Sequence, residues 1–156
     1  MAIRSVAKAV IVKDNCVLLN RCYHEDGSVY YALPGGGQYQ YESLEEAVRR
    51  EVKEETGYEI AIRRFSALVE EIYTDEKLRA QVSDYTHRII HIFYAEIADS
   101  HQDVPFEKDF EMETSEWIPV ERLQTLPEIC PRGLQQAFLQ ILTQIAPVYL
   151  GTYYLN

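Results

Sequence analysis

Glu51, Glu54 and Glu55 lie within five residues of one another, behind the glycine run Gly35-Gly36-Gly37. Ser43 followed three residues later by Glu46 is a capping box, so a helix is predicted to begin at Leu44. Gly57 suits the left-handed position just past a helix end, which predicts a helix over Leu44–Thr56. At about 100° per residue from Leu44, Ala47, Val48 and Val52 fall near 300°, 40° and 80° and form an inward stripe. Glu45, Glu46, Arg49, Arg50, Lys53 and Thr56 fall between roughly 100° and 240°, a solvated charged face. Glu51, Glu54 and Glu55 fall near 340°, 280° and 20°, in line with the apolar stripe. A run of charge is usually a solvated surface, but these three face inward. Carboxylates there are unfavourable unless something positive meets them, and Glu51 and Glu55 also repel at i,i+4. A divalent cation answers both problems. Hard oxygen donors suit Mg²⁺ or Mn²⁺ rather than zinc.

The segment from Gly36 to Tyr58 resembles the signature of the Nudix hydrolases. That pattern is Gly, five residues, Glu, seven residues, Arg-Glu, an aliphatic, any residue, Glu-Glu, any residue, Gly and an aliphatic. Gly36, Glu42, Arg50, Glu51, Val52, Glu54, Glu55 and Gly57 fill it at the right spacing; Tyr58 stands where an aliphatic is usual. Leu33-Pro34-Gly35-Gly36-Gly37 resembles the common lead-in. Tyr39 and Tyr41 occupy positions where many members carry Glu and Gly. The match is long and specific.

The resemblance implies an α/β fold, a Nudix-type α/β/α sandwich with a mixed β-sheet. It implies Mg²⁺-dependent hydrolysis of a pyrophosphate linking a nucleoside diphosphate to another moiety, by metal-activated water. Glu51, Glu54 and Glu55, with the Gly36 carbonyl, are the implied metal ligands. Arg50 is expected to orient a catalytic Glu, with Glu54 as its i,i+4 partner, and Glu42 to support the site less directly. Family members often take a general base from a loop before a Trp. Glu111, ahead of Trp117, is the first choice and Glu113 the alternative, while Glu54 or Glu55 could serve from the helix itself. Tyr39 and Tyr41, beside the metal loop, are candidates to stack on a substrate ring. Arg88, at the start of an apolar strand where an unpaired charge would be odd, is a candidate for a phosphate. Homodimers are common in the family and the resemblance inclines toward one; the aromatic tail Tyr149–Leu155 could pack at such a contact or on its own core.

The remaining sequence has to position these groups. Its 156 residues suit one domain, 1–156, with the Nudix box at 36–58. Strands are expected over Ser5–Lys13 and Cys16–Arg21 around an Asp14-Asn15 turn, and over Val29–Leu33. Glu59–Tyr73 is β-rich, and Arg88–Ile97 reads as a central apolar strand. His101–Glu116 reads as a polar, acidic loop that includes Asp103, Glu107 and Asp109, followed by a short strand at Trp117–Pro119. Val120–Leu126 suits a helical turn and Pro131 the first turn of a last helix. Leu134, Phe138, Ile141, Leu142 and Ile145 repeat at helical spacing. His87 and His91 share a strand face without meeting.

No run of about eighteen apolar residues predicts a membrane span, and the N-terminus lacks a secretory pattern. Three cysteines, Cys16, Cys22 and Cys130, show no metal spacing and suit a reducing cytoplasm. The formal net charge of −10 argues against duplex nucleic acid, leaving a small nucleotide as the expected partner. Two further readings stay open: an RNA 5′-end pyrophosphohydrolase, and a nucleotide sensor of the same fold that does not hydrolyse. The intact acidic cluster argues against the sensor.

Overall fold

The computed structural model describes residues 2–107 and 111–156; Asp109 of the acidic loop lies outside the described residues. Strands β1 (Arg4–Lys13) and β2 (Cys16–Tyr23) form a hairpin. Its turn residues Asp14 and Asn15 both have positive φ, 49° and 58°, as a two-residue hairpin turn requires. Next come β3 (Val29–Ala32), β4 (Gly35–Gly37), α1 (Leu44–Thr56) and β5 (Tyr58–Tyr73). A short helix α2 (Glu76–Gln81) and a 3₁₀ turn at Ser83–Tyr85 lead into β6 (His87–Gln102). After β7 (Met112–Pro119), a 3₁₀ helix at Val120–Thr125 and β8 (Ile129–Cys130) come α3 (Leu134–Thr143) and β9 (Val148–Leu155).

The strands make one mixed sheet in the order β8-β3-β2-β1-β6-β5-β9, with β4 added to β1 and β7 to β2. The pairs β1–β6, β3–β8 and β5–β9 are parallel, and the others antiparallel. Alternation along β1 divides the interior. Ala7, Ala9 and Ile11 point to one face, where they pack with Ala47, Val48 and Val52 of α1. Val6 and Val10 point to the other, where Ile90, Ile92, Leu134, Phe138 and Ile141 complete a second core under α3. The result is the expected α/β/α sandwich with a mixed sheet. Among the described residues, no helix is long and apolar enough to cross a membrane.

Several expectations need correction. The glycine run is a strand, because its backbone pairs with Val6–Lys8 of β1. Residues 112–116, expected in a loop, belong to β7: ladder bonds to β2 hold them despite their polar side chains. Pro131 precedes α3 rather than opening it, since the chain turns at Gly133 (φ 78°) and the helix starts at Leu134. Ile145 lies beyond the end of α3 and is exposed. Thr56 is buried rather than solvated. Its hydroxyl turns inward to donate to Val52 O at 2.6 Å and accept from Tyr58 N at 3.3 Å. Helix α2 and the turn after it were not anticipated, and none of their residues is buried. His91 is satisfied by Val6 O and His87 by Glu70.

Candidate active site

The α1 helix is built as its sequence prescribes. Ser43 Oγ accepts from Glu46 N, and Glu46 reaches back to Ser43 N, completing the capping box. Gly57 closes the helix in the left-handed conformation (φ 78°), its N–H bonding Lys53 O. The apolar stripe docks on β1, which turns the last two turns of the helix toward the glycine strand.

Arg50 lies at the centre of the resulting cluster. Its Nε and Nη2 grip both Glu42 oxygens, at 2.7 and 3.0 Å. Its Nη1 bridges Glu51 Oε1 at 2.9 Å and Glu54 Oε2 at 3.3 Å, while Nη2 also donates to Gly37 O at 3.0 Å. The Tyr39 ring covers the guanidinium at 3.9 Å from its centroid. Arg50 is therefore largely enclosed, not part of a solvated face, and the repulsion between Glu51 and Glu54 is met by its charge. The partnership of Arg50 with Glu54 is as expected, and Glu42 takes a more direct part than expected. The Glu42 carboxylate and the Arg50 guanidinium stabilise each other's charged forms: hydrogen bonding to Arg50 lowers the pKa of Glu42, and hydrogen bonding to Glu42 raises that of Arg50. Glu54 moves the other way. Burial pushes its pKa up, Arg50 opposes this, and Glu51 and Glu107 reinforce it.

Glu55 is buried at 3% exposure. Its Oε2 accepts from Gly35 N at 3.0 Å and from Asn20 Nδ2 at 2.9 Å. Asn20 Oδ1 in turn accepts from Ser115 Oγ at 2.9 Å. This relay ties α1 to β4, β2 and β7. Gly36 explains the glycine requirement: a Cβ there would lie 2.6 Å from the Glu51 carboxyl carbon, so only glycine lets that carboxylate rest on the loop backbone.

The donor set has the chemistry of a hard-cation site: three carboxylates beside a glycine strand in which Gly35 lies too close to the β1 backbone for any side chain. Its present geometry is organised around a guanidinium. Among the described residues no three His, Cys, Asp or Glu side chains converge as a complete ligand group. Glu51 and Glu54 would have to exchange Arg50 Nη1 for a metal, a small movement for bonds already directed at one positive centre.

The other expected site residues are dispersed. Glu111 hydrogen-bonds the Tyr30 hydroxyl rather than any group on α1. Glu113 lies on the surface with Tyr23 and Arg21. Tyr39 is used against Arg50, and Tyr41 is 97% exposed. Arg88 is not an unpaired cation. It forms an ion pair with buried Glu71 and lies under the Tyr85 ring at 4.4 Å. Arg88 and Glu111 both line a partly open cavity of about 360 Å³, which reaches Asn20 and Lys8 at the glycine strand. The sequence reading missed Asn20, Lys8, Glu71 and Tyr85. The available signal was a polar residue inside an apolar strand, as in Val17-Leu18-Leu19-Asn20 and Ala7-Lys8-Ala9.

Comparison with known proteins agrees with this geometry. Residues 2–136 match the NUDIX domain family. The chain is 28% identical over 127 residues to the nucleoside triphosphatase NudI of Enterobacter sp. (strain 638), covering 79% of this chain and 86% of that protein. A NUDIX hydrolase from Nitrosomonas europaea superposes with a TM-score of 0.73 at 17% identity, over 94% of this chain and 93% of that one. A MutT NUDIX hydrolase from Burkholderia pseudomallei gives 0.58 at 26% identity, over 94% and 100%. With the signature intact from Gly36 to Gly57 and the family match spanning most of the sheet, the chain belongs to the Nudix hydrolase family.

Proposed function

We propose that this protein hydrolyses the pyrophosphate linkage of a small nucleotide, with a nucleoside triphosphate as the preferred class and Mg²⁺ as the working cation. The observation that carries this reading is the α1 cluster, in which Arg50 holds Glu51 and Glu54 against the glycine strand while Asn20 and Gly35 fix Glu55. Its likeness to the triphosphatase NudI supports the substrate class.

Glu51, Glu54 and Glu55, with the Gly36 carbonyl, would hold the cation. When bound, it supplies charge neutralisation on the phosphate oxygens and a lowered pKa for water. The residues of the chain do the rest. Glu55, locked by two hydrogen bonds, gives the site a fixed edge. Arg50, anchored through Glu42 and Gly37, keeps Glu51 and Glu54 aimed at one point. Glu54 accepts the proton of the attacking water, since Glu111 is committed to Tyr30.

The test is turnover of a panel of nucleoside triphosphates, nucleotide sugars, ADP-ribose and dinucleoside polyphosphates, with and without Mg²⁺. Triphosphate hydrolysis should be lost with chelator and reduced at least a hundredfold in Glu54→Gln. Metal-dependent binding without hydrolysis of any panel member would overturn the reading in favour of a sensor.

A further inference from the structure

Lys8 is a cation on an apolar strand face. It lies on β1 between Val6 and Val10, which share its side of the strand and are buried in the core under α3. A charge among such neighbours is costly unless it is used. Its two hydrogen bonds go to the main chain: Lys8 Nζ donates to Leu33 O and to Gly35 O, both at 3.0 Å. Its stem is pressed against the same stretch, since a Cβ on Gly35 would lie 2.9 Å from Lys8 Cγ.

Sheet pairing alone does not fix residues 33–36. Lys8 and Gly35 face each other in the antiparallel β1–β4 ladder, next to the pair in which Ala9 N donates to Pro34 O at 3.0 Å. Antiparallel ladders alternate bonded and non-bonded pairs, so the N–H and C=O of Gly35 point away from β1. Glu55 Oε2 takes that N–H at 3.0 Å, and the Lys8 ammonium takes the C=O. Pro34 has no N–H to offer. Three successive peptide planes are thus held by neighbouring residues of β1: 33–34 and 35–36 by the Lys8 ammonium, and 34–35 by the Ala9 N–H. The middle plane carries the N–H that fixes Glu55. The third leads into Gly36, whose carbonyl is assigned to the cation.

We infer that Lys8 is a positioning residue for the cation site. It acts from the face of the sheet opposite α1, through the backbone of the glycine strand and not by touching the cation. The inference rests on the cation reading of α1 proposed above. Without the ammonium, two carbonyls of buried residues lose their donor, and the peptides on both sides of the Glu55 bond are released. Glu55 then loses its fixed edge and the Gly36 carbonyl its direction. Loss of a group that orients metal ligands weakens metal binding by about 10–100-fold.

The test reads metal binding rather than turnover. The whole chain is titrated with Mn²⁺, and the free ion is followed by electron paramagnetic resonance. Lys8→Met keeps an apolar stem beside Val6 and Val10 and removes only the donors; it should raise the Kd for Mn²⁺ at least about tenfold. Lys8→Leu, equally without a donor, repeats the measurement if the methionine variant does not fold. Amide hydrogen exchange at Gly35 and Gly36 should be faster in the variant before any metal is added. Val10→Ala, which thins the same core at a residue 0% exposed and removes no donor, should leave the Kd at the wild-type value. An unchanged Kd on loss of the Lys8 ammonium, or an equal loss of affinity in Val10→Ala, would overturn the assignment. Wild-type protein that hydrolyses and binds Mn²⁺ no better than Lys8→Met removes this inference alone. Wild-type protein that binds Mn²⁺, Lys8-dependently, but hydrolyses nothing removes the hydrolase reading alone. Wild-type protein that binds no Mn²⁺ removes both.

Discussion

Asn20 Nδ2 donates to Glu55 Oε2 at 2.9 Å, joining a buried amide on β2 to a buried carboxylate on α1, on opposite sides of the glycine strand. Both side chains are 3% exposed. The bond sets where the far end of the acidic cluster lies. Asn20→Leu removes a donor to Glu55 and the acceptor of Ser115 Oγ. The expected loss is about 1–3 kcal/mol, read as a lower urea midpoint with unchanged slope. Asn20→Asp should lose more, because it sets one carboxylate against another. An Asn20→Leu midpoint equal to wild type would show that the relay carries no stability.

Arg50 makes its contacts through a planar fork, and this gives a second prediction. Lysine at this position keeps the charge but cannot grip both Glu42 oxygens while bridging Glu51 and Glu54. Arg50→Lys should lower kcat roughly 10–100-fold, the range found for groups that orient ligands, with KM changed much less. Glu42→Gln should fall in the same direction, because it loosens the anchor of the same side chain. A selective rise in KM for Arg50→Lys would instead assign Arg50 to substrate binding.

The contrast between α1 and its surroundings shows what a sequence displays. The helix is bounded by a capping box and a left-handed glycine and repeats at 3.6 residues, so local signals define it on their own. Strand β4 has no side-chain pattern at all; its pairing to Val6–Lys8 makes it a strand. In β7, Thr114, Ser115 and Glu116 look like loop residues, and ladder bonds to β2 decide otherwise. The three helix carboxylates were legible because helical geometry fixes their direction. The environment of Arg88 was not, because Glu71 lies 17 residues away and meets it only when β5 folds against β6. The cavity draws on β1, β2, β3, β5, β6, β7, β8 and β9, so no window of sequence contains it.

Tyr41 adopts φ 69° at a position where many family members carry glycine. The left-handed conformation costs a non-glycine residue about 1–2 kcal/mol. The side chain is 97% exposed, so little packing offsets that cost. Glycine would relieve it and give back roughly 0.5–1 kcal/mol in unfolded-chain entropy. Tyr41→Gly is therefore expected to stabilise the fold by up to about 1 kcal/mol, with hydrolysis unchanged. A lower denaturation midpoint would mean that the tyrosine ring packs usefully, and a raised KM that it touches substrate.

Glu71 is 2% exposed, and its charge is met by the Arg88 guanidinium and by Arg132 N–H at 3.0 Å. Arg88 is closed in by the rings of Tyr85 and Tyr73. Coulomb attraction acts on Arg88 against a large burial penalty, and together with Tyr85 and Tyr73 it leaves the pKa of the guanidinium raised. Such a pair is a poor source of net stability, since removing two charges from water offsets most of their attraction. Breaking it is another matter. Arg88→Met leaves Glu71 buried with one backbone donor and should cost about 3–5 kcal/mol. Glu71→Leu with Arg88→Met removes both charges, and the double variant should be more stable than Arg88→Met alone. Denaturant unfolding of the two singles and the double closes the cycle. If the double variant is as unstable as the sum of the singles, the two residues are not coupled and the packing of each decides its cost. If it recovers stability but loses turnover, the pair is kept for the cavity it lines rather than for the fold.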